Sequence, residues 1–142
     1  TIITQLLQRK NVIKLGNLTP TRDFTYIDDT VNAFLNAMKA KKISGEVINI
    51  GNKFEISIKD ILKVISKDFK YHFDVKIDKK RIRSKNSEVY RLRASNTKAT
   101  KLLKWRPKYN GLKGFKKGLK KTINWFSEPK NLKYYNSDIY NI

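Results

Sequence analysis

Apolar and polar positions alternate in two rhythms along the chain, one of period two and one of three to four. Residues 1–9, TIITQLLQR, carry apolar positions at helical spacing, and VIKLG (12–16) then reads as a short strand closed by Gly16 and the loop Asn17-Leu18-Thr19-Pro20. DFTYI (23–27) alternates like a second extended segment. Next comes a helix with Val31, Phe34, Leu35 and Met38 on one face, for which Asp28 or Asp29 can serve as N-cap. Gly45 ends that region. Val47, Ile48 and Ile50 form a continuous apolar run, EVINIG, stopped by Gly51, which suits a strand covered on both faces as in a parallel sheet.

Ser57 and Asp60 have the spacing of a capping box with aspartate in place of glutamate, and Ile61, Leu62, Ile65 and Phe69 line the helix behind them. FDVKI (73–77) reads as a strand, residues 79–86 as a basic loop, and residues 88–94 as extended. Ser95 or Asn96 caps a short helix to about Lys104. After Pro107 a last helix near 112–126 places Leu112, Phe115, Leu119, Ile123 and Phe126 on one stripe. The polar, tyrosine-bearing stretch from Ser127 reads as a loose tail or docking arm. Helices alternating with short strands predict the α/β class.

Composition changes this picture in two ways. With 32 Lys+Arg against 12 Asp+Glu the net charge is +20, and the cluster from Lys98 to Lys121 contains no acid, so a polyanion partner has to be weighed. The chain also holds 25 Lys, 16 Ile and 13 Asn, residues whose codons are rich in A and T, so coding bias explains much of the charge. Lysine dominates arginine, and no zinc finger, aromatic-rich RNA motif or groove-reading helix accompanies it. The compositional reading is therefore preferred and nucleic acid is disfavoured. A standalone basic module binding nucleic acid or another partner is kept as the alternative.

Without cysteine there is no disulfide, thiol nucleophile or Cys-based zinc site, and the lone His72 excludes a multi-histidine metal cluster. No apolar run approaches the roughly 18 residues of a membrane span, and no N-terminal signal is evident, so a cytoplasmic location is expected. The first residue is Thr1 and the only methionine is Met38, which leads us to expect a longer parent protein.

Most catalytic signatures are absent: G-x-G-x-x-G, G-x-S-x-G, H-E-x-x-H and the P-loop. Gly111, Gly114 and Gly118 lie in a Lys-rich amphipathic helix and are expected to be points of close packing. Tyr109 and Lys113 form a formal Tyr-x-x-x-Lys. Pro107 precedes the pair and Gly111 sits inside it, so a turn into a helix is expected there rather than a catalytic face. Arg22 follows a Gly/Asn/Pro loop at the edge of an element, where its guanidinium can fork onto a phosphate; a surface pair with Asp23 or Asp29 is the alternative. Arg81, Arg83, Arg91 and Arg93 alternate in two pairs. At strand spacing they would form guanidinium stripes flanking an anion, or else simply face solvent.

Taken in order, Leu15-Gly16-Asn17, Thr21-Arg22-Asp23-Phe24, Tyr26, Asp29-Thr30, Asn49-Ile50-Gly51, Arg83 with Ser87-Glu88-Val89, Asn96-Thr97-Lys98-Ala99, Leu103, Trp105 and Pro107 resemble the C-terminal half of the NAD-dependent epimerase/dehydratase family, the extended short-chain dehydrogenases. Gly114, Gly118-Leu119, Thr122-Ile123 and Trp125-Phe126 continue the resemblance, which covers residues 1–126 and is nearest to nucleotide-sugar 4,6-dehydratases acting on UDP- or GDP-linked N-acetylglucosamine.

The resemblance implies an α/β, Rossmann-type fold and a substrate-binding role. Arg22 and Arg83 would hold the nucleotide diphosphate, Leu15 with Gly16 and Asn17 would lie by the base, and Asn49 would contact the nucleotide. The NAD site, the catalytic Tyr-x-x-x-Lys and the dehydratase acid/base groups would belong to an N-terminal half upstream of Thr1, so no catalytic residue is expected in this chain. The helix at 30–41 and the strand at 46–50 would belong to that nucleotide-binding lobe, with 127–142 as a tail. The partners implied are a UDP- or GDP-linked N-acetylhexosamine, the missing half, and a second copy in a homodimer of the whole enzyme, which would serve cell-surface polysaccharide biosynthesis. Three departures stand out. Ser84 replaces a proline, Ser95 an aspartate, and Lys104 a glycine, the last in a place that favours positive φ.

Overall fold

The computed structural model describes residues 1–8, 11–84 and 86–136. Arg9 of the first predicted helix, Lys85 of the basic loop and residues 137–142 of the predicted tail lie outside that set. The elements run α1 (Ile2–Leu7), β1 (Val12–Leu15), β2 (Thr21–Arg22), α2 (Ile27–Lys39), β3 (Ile56–Ser57), α3 (Ile58–Phe69), β4 (Asp74–Ile77), a 3₁₀ turn (Lys79–Arg81), β5 (Arg91–Leu92), α4 (Thr97–Leu103), α5 (Gly111–Ser127) and α6 (Pro129–Leu132). The α/β class is borne out. The chain divides into two compact units: residues 1–20, 57–90 and from 120 onward form the first, and residues 21–56 and 91–119 the second.

In the first unit β1 and β4 pair in parallel, Val12 opposite Asp74 through Leu15 opposite Ile77. Parallel strands need a long crossover, which α3 provides. The Ser57–Asp60 cap is borne out: the Ser57 hydroxyl accepts the Asp60 N–H at 3.0 Å and donates to the Asp60 carboxylate at 2.6 Å. Behind this cap Ile61, Leu62 and Ile65 are buried. The free edge of β1 is closed by a side chain, since the buried Gln5 amide donates to the Lys14 carbonyl and accepts its N–H. One glutamine thereby does locally what a third strand would do. Residues 129–136, expected to be loose or a docking arm, include α6 and a stack in which Tyr135 meets Phe126 and Trp125 edge-on. The Tyr135 carbonyl accepts from Gln8.

In the second unit β2 pairs in parallel with β5, Thr21 opposite Arg91 and Arg22 opposite Leu92. The strand expected at 23–27 lies two residues earlier, because the Asp23 side chain bonds other backbone and Tyr26 already accepts the first helical N–H groups of α2. Ala33, Ala99, Leu103 and Trp105 form the core, with Ala37, Ala40, Ile43, Ile48, Ile50 and Leu102 packed around them. Lys104 ends α4 at φ 53°, the left-handed geometry expected from the glycine it replaces. Gly114 and Gly118 are packing points as expected: a Cβ on Gly114 would run into the Tyr109 backbone, and one on Gly118 would crowd the Tyr26 ring; Gly111, expected to be a third, has open space beside it and instead starts α5 at φ 64°.

Two segments of this unit stand uncovered, and the second departs from the strand expected there. Val31, Phe34, Leu35 and Met38 of α2 are 47–84% exposed, and α2 instead buries Asp29 and Ala33. The 46–50 segment takes up no ladder among the described residues; Val47 and Asn49 are exposed while Ile48 and Ile50 lean on the core. A strand exists only if its N–H and C=O groups find a partner, and no neighbouring described segment offers one.

Candidate functional site

In the first unit Leu15 is buried at the end of β1, and Gly16 and Asn17 turn the chain. Asn17 accepts the Thr19 N–H at 3.0 Å and its hydroxyl at 2.9 Å, an Asx turn. Gly16 has a reason internal to the protein, because a Cβ there would overlap the Arg81 carbonyl. The neighbouring arginines differ. Arg81 sits in the 3₁₀ turn with its side chain 8% exposed and pairs with Asp78 at 3.3 Å. Arg83 is exposed.

In the second unit Arg22 ends β2, half-buried, with Nη1 donating 2.8 Å to the Thr21 carbonyl. The two acids suggested as its surface partners both accept backbone N–H groups. The Asp23 carboxylate accepts the N–H of Asn52 at 2.8 Å, of Lys53 at 3.1 Å and of Ala94 at 3.2 Å. Asp29, also expected as an N-cap, is buried and accepts the N–H of Lys108 at 2.8 Å and of Tyr109 at 2.9 Å. Its carbonyl accepts from the Trp105 indole at 3.0 Å. The cap position belongs to Tyr26, whose side chain does not cap the helix. Asn49 is exposed just ahead of the braced Gly51–Lys53 turn.

The guanidinium stripes do not form. Arg91 is engaged by Glu55, Nε to carboxylate at 2.7 and 2.9 Å, and Arg93 donates to the Lys53 carbonyl at 2.9 Å. The Arg91 guanidinium, and next the Thr21 hydroxyl at 2.8 Å, hold the Glu55 carboxyl below the usual carboxylate range. Of the predicted site residues the second unit thus holds Arg22 and Asn49, and the first holds Leu15, Gly16, Asn17 and Arg83. Tyr109 is buried with its hydroxyl on Asp28 at 3.1 Å, and it is Lys117, rather than Lys113, that lies over its ring.

What the sequence reading missed is the pair of aspartate braces. A signal was present: in a chain with 12 acids, Asp23, Asp28 and Asp29 crowd into seven residues where loop gives way to helix. Two of these three acids, Asp23 and Asp29, accept backbone N–H groups. Among the described residues there is no cluster of potential metal ligands, and no helix is long and apolar enough to cross a membrane.

Comparison with known proteins follows this arrangement. The family described as GDP-mannose 4,6 dehydratase matches residues 1–122. The UDP-glucuronate 4-epimerase of Thermodesulfobacterium geofontis is 31% identical over 127 residues, covering 89% of this chain and 36% of the relative. The dTDP-D-glucose 4,6-dehydratase of Homo sapiens is 33% identical over 118 residues, 80% of this chain and 31% of the relative. Among solved structures, UDP-glucuronic acid 4-epimerase from Bacillus cereus in complex with UDP-glucuronic acid and NAD superposes with a TM-score of 0.68 at 33% identity, over 93% of this chain and 38% of that one. The chain therefore spans about a third of the length of the relatives it matches.

Proposed function

Since the chain belongs to the GDP-mannose 4,6 dehydratase family within the NAD-dependent epimerases and dehydratases, we propose that it is the nucleotide-sugar-binding C-terminal part of a nucleotide-sugar 4,6-dehydratase or epimerase, inactive without a nucleotide-binding part. The observation that carries the reading is the match over residues 1–122, with Arg22 half-buried at the end of β2. Arg83 is the second cation of this reading, Leu15 to Asn17 face the base, and Asn49 meets the nucleotide. A guanidinium fork on a phosphate contributes about 1.5–3 kcal/mol per charge-assisted bond.

The spaced glycines of α5 do not fit a dinucleotide. The three spaced glycines lie in α5 or at its start, and the spaces beside Gly114 and Gly118 are filled by Tyr109 and Tyr26, so α5 offers no open cradle for a pyrophosphate. In this reading NAD, which takes up and returns a hydride, is held by the nucleotide-binding part. The apolar face of α2 and the unladdered 46–50 segment are the surfaces that part would cover. Residues 1–142 mixed with a nucleotide-binding part, NAD and UDP-N-acetylglucosamine are expected to yield a 4-keto-6-deoxy sugar nucleotide (a 4-epimer in the epimerase case). Either product from residues 1–142 alone would contradict the proposal.

A further inference from the structure

Resting on that reading of the site, we propose that Asp23 is its positioning residue: one carboxylate that fixes the place of Arg22 relative to Asn49. Asp23 follows Arg22 directly, and its own N–H donates to the Leu92 carbonyl at 3.0 Å, extending the β2–β5 pairing by one bond. Its two oxygens reach the N–H groups of Asn52 and Lys53 on one side and Ala94 on the other.

The same three segments are tied a second time by side chains. The Asn52 amide donates to the Phe24 carbonyl, Asn96 to the Gly51 carbonyl at 2.8 Å, and Arg93 to the Lys53 carbonyl. Lys53 is held at φ 55°, a left-handed conformation unfavourable for a lysine unless its surroundings impose it. Gly51 has no room for a Cβ, which would strike the Ala94 side chain and stand 2.9 Å from the Asp23 carboxylate. The turn two residues beyond Asn49 is therefore set by a contact with the residue next to Arg22. Asp23 touches no ligand in this scheme; it acts through the two residues that do.

The test is titration of the 142-residue chain with UDP and with GDP, in the wild type and in Asp23→Asn, Asn49→Ala and the double variant, with a thermal melt of each. In Asp23→Asn an amide group faces the three N–H donors. We expect the affinity for the preferred nucleotide to fall about tenfold or more, with the chain still folded. On the Asn49→Ala background the same change is expected to cost far less, because the group being positioned is gone; two independent losses would simply add. Should Asp23→Asn unfold the chain, Gly51→Ala displaces the same turn without altering charge and is expected to give the same loss and the same coupling. Wild-type affinity in either folded variant, or additive losses in the double variant, would overturn the positioning role and leave the site standing. No binding of UDP or GDP by the wild type would overturn the site reading and this proposal with it.

Discussion

Two helices of nearly equal length, α2 and α3, carry the same sequence pattern and meet different fates. On α3, Ile61, Leu62 and Ile65 point into the core of the first unit, with Ile65 fully buried. On α2, Val31, Phe34, Leu35 and Met38 are at equivalent spacing, and each is about half or more exposed. The second unit grips α2 by its other face, through Ala33 and the Asp29 carboxylate. Amphipathic periodicity thus records that a face is made to be covered, and leaves open which segment covers it. In the proposed reading, the four large apolar side chains of α2 and the unladdered 46–50 segment are the surfaces that a nucleotide-binding part would cover.

This contrast fixes the size and order of several effects. Ile65→Ala opens a cavity in a sealed core and is expected to cost about 2–5 kcal/mol, measured by chemical denaturation. Phe34→Ala at the matching stripe of α2 is expected to stay within about 0.5 kcal/mol for the chain alone. Equal losses would show that α2 is already covered.

The N-termini differ as well. Ser57 caps α3 with its side chain whereas Tyr26 gives α2 none, so Ser57→Ala is expected to cost about 1 kcal/mol. Lys63, and next the Ser57 hydroxyl, hold the Asp60 carboxyl below its ordinary value. A carboxyl lowered by folding stabilises above the unfolded carboxylate range, and that contribution fades as pH falls through the folded value. Denaturation midpoints followed from neutral into acid pH should therefore drop less steeply in Ser57→Ala than in the wild type. A gain in place of a loss is expected at Lys104, where glycine relieves the left-handed backbone. Lys104→Gly should raise stability by about 0.5–1 kcal/mol, seen as a higher denaturation midpoint.

What the sequence made legible was local. The Ser57–Asp60 cap, the left-handed Lys104 and the packing glycines of α5 each depend on neighbours a few residues away or on the absence of a Cβ, and each stands in the structure as expected. The failures are non-local. Asp29 reads as an N-cap from its neighbours, yet it answers N–H groups about 80 positions along the chain, at Lys108 and Tyr109. Arg91 and Arg93 alternate as an anion-binding stripe would, and Glu55 and the Lys53 carbonyl claim them across the fold. The EVINIG run has the composition of a central strand, but composition cannot supply the ladder. Of the candidate site, the family resemblance marked Arg22 and Asn49; Asp23 stood in the same resemblance, but nothing local in the sequence showed that its carboxylate reaches the N–H groups of Asn52, Lys53 and Ala94.

The most direct measurement is calorimetric titration of residues 1–142 with UDP and GDP, comparing the wild type with Arg22→Ala. The account predicts saturable binding of one nucleotide that disappears when the guanidinium is removed. Unchanged affinity in Arg22→Ala, with the fold intact, would mean that this cation does not face a diphosphate and would contradict the assignment.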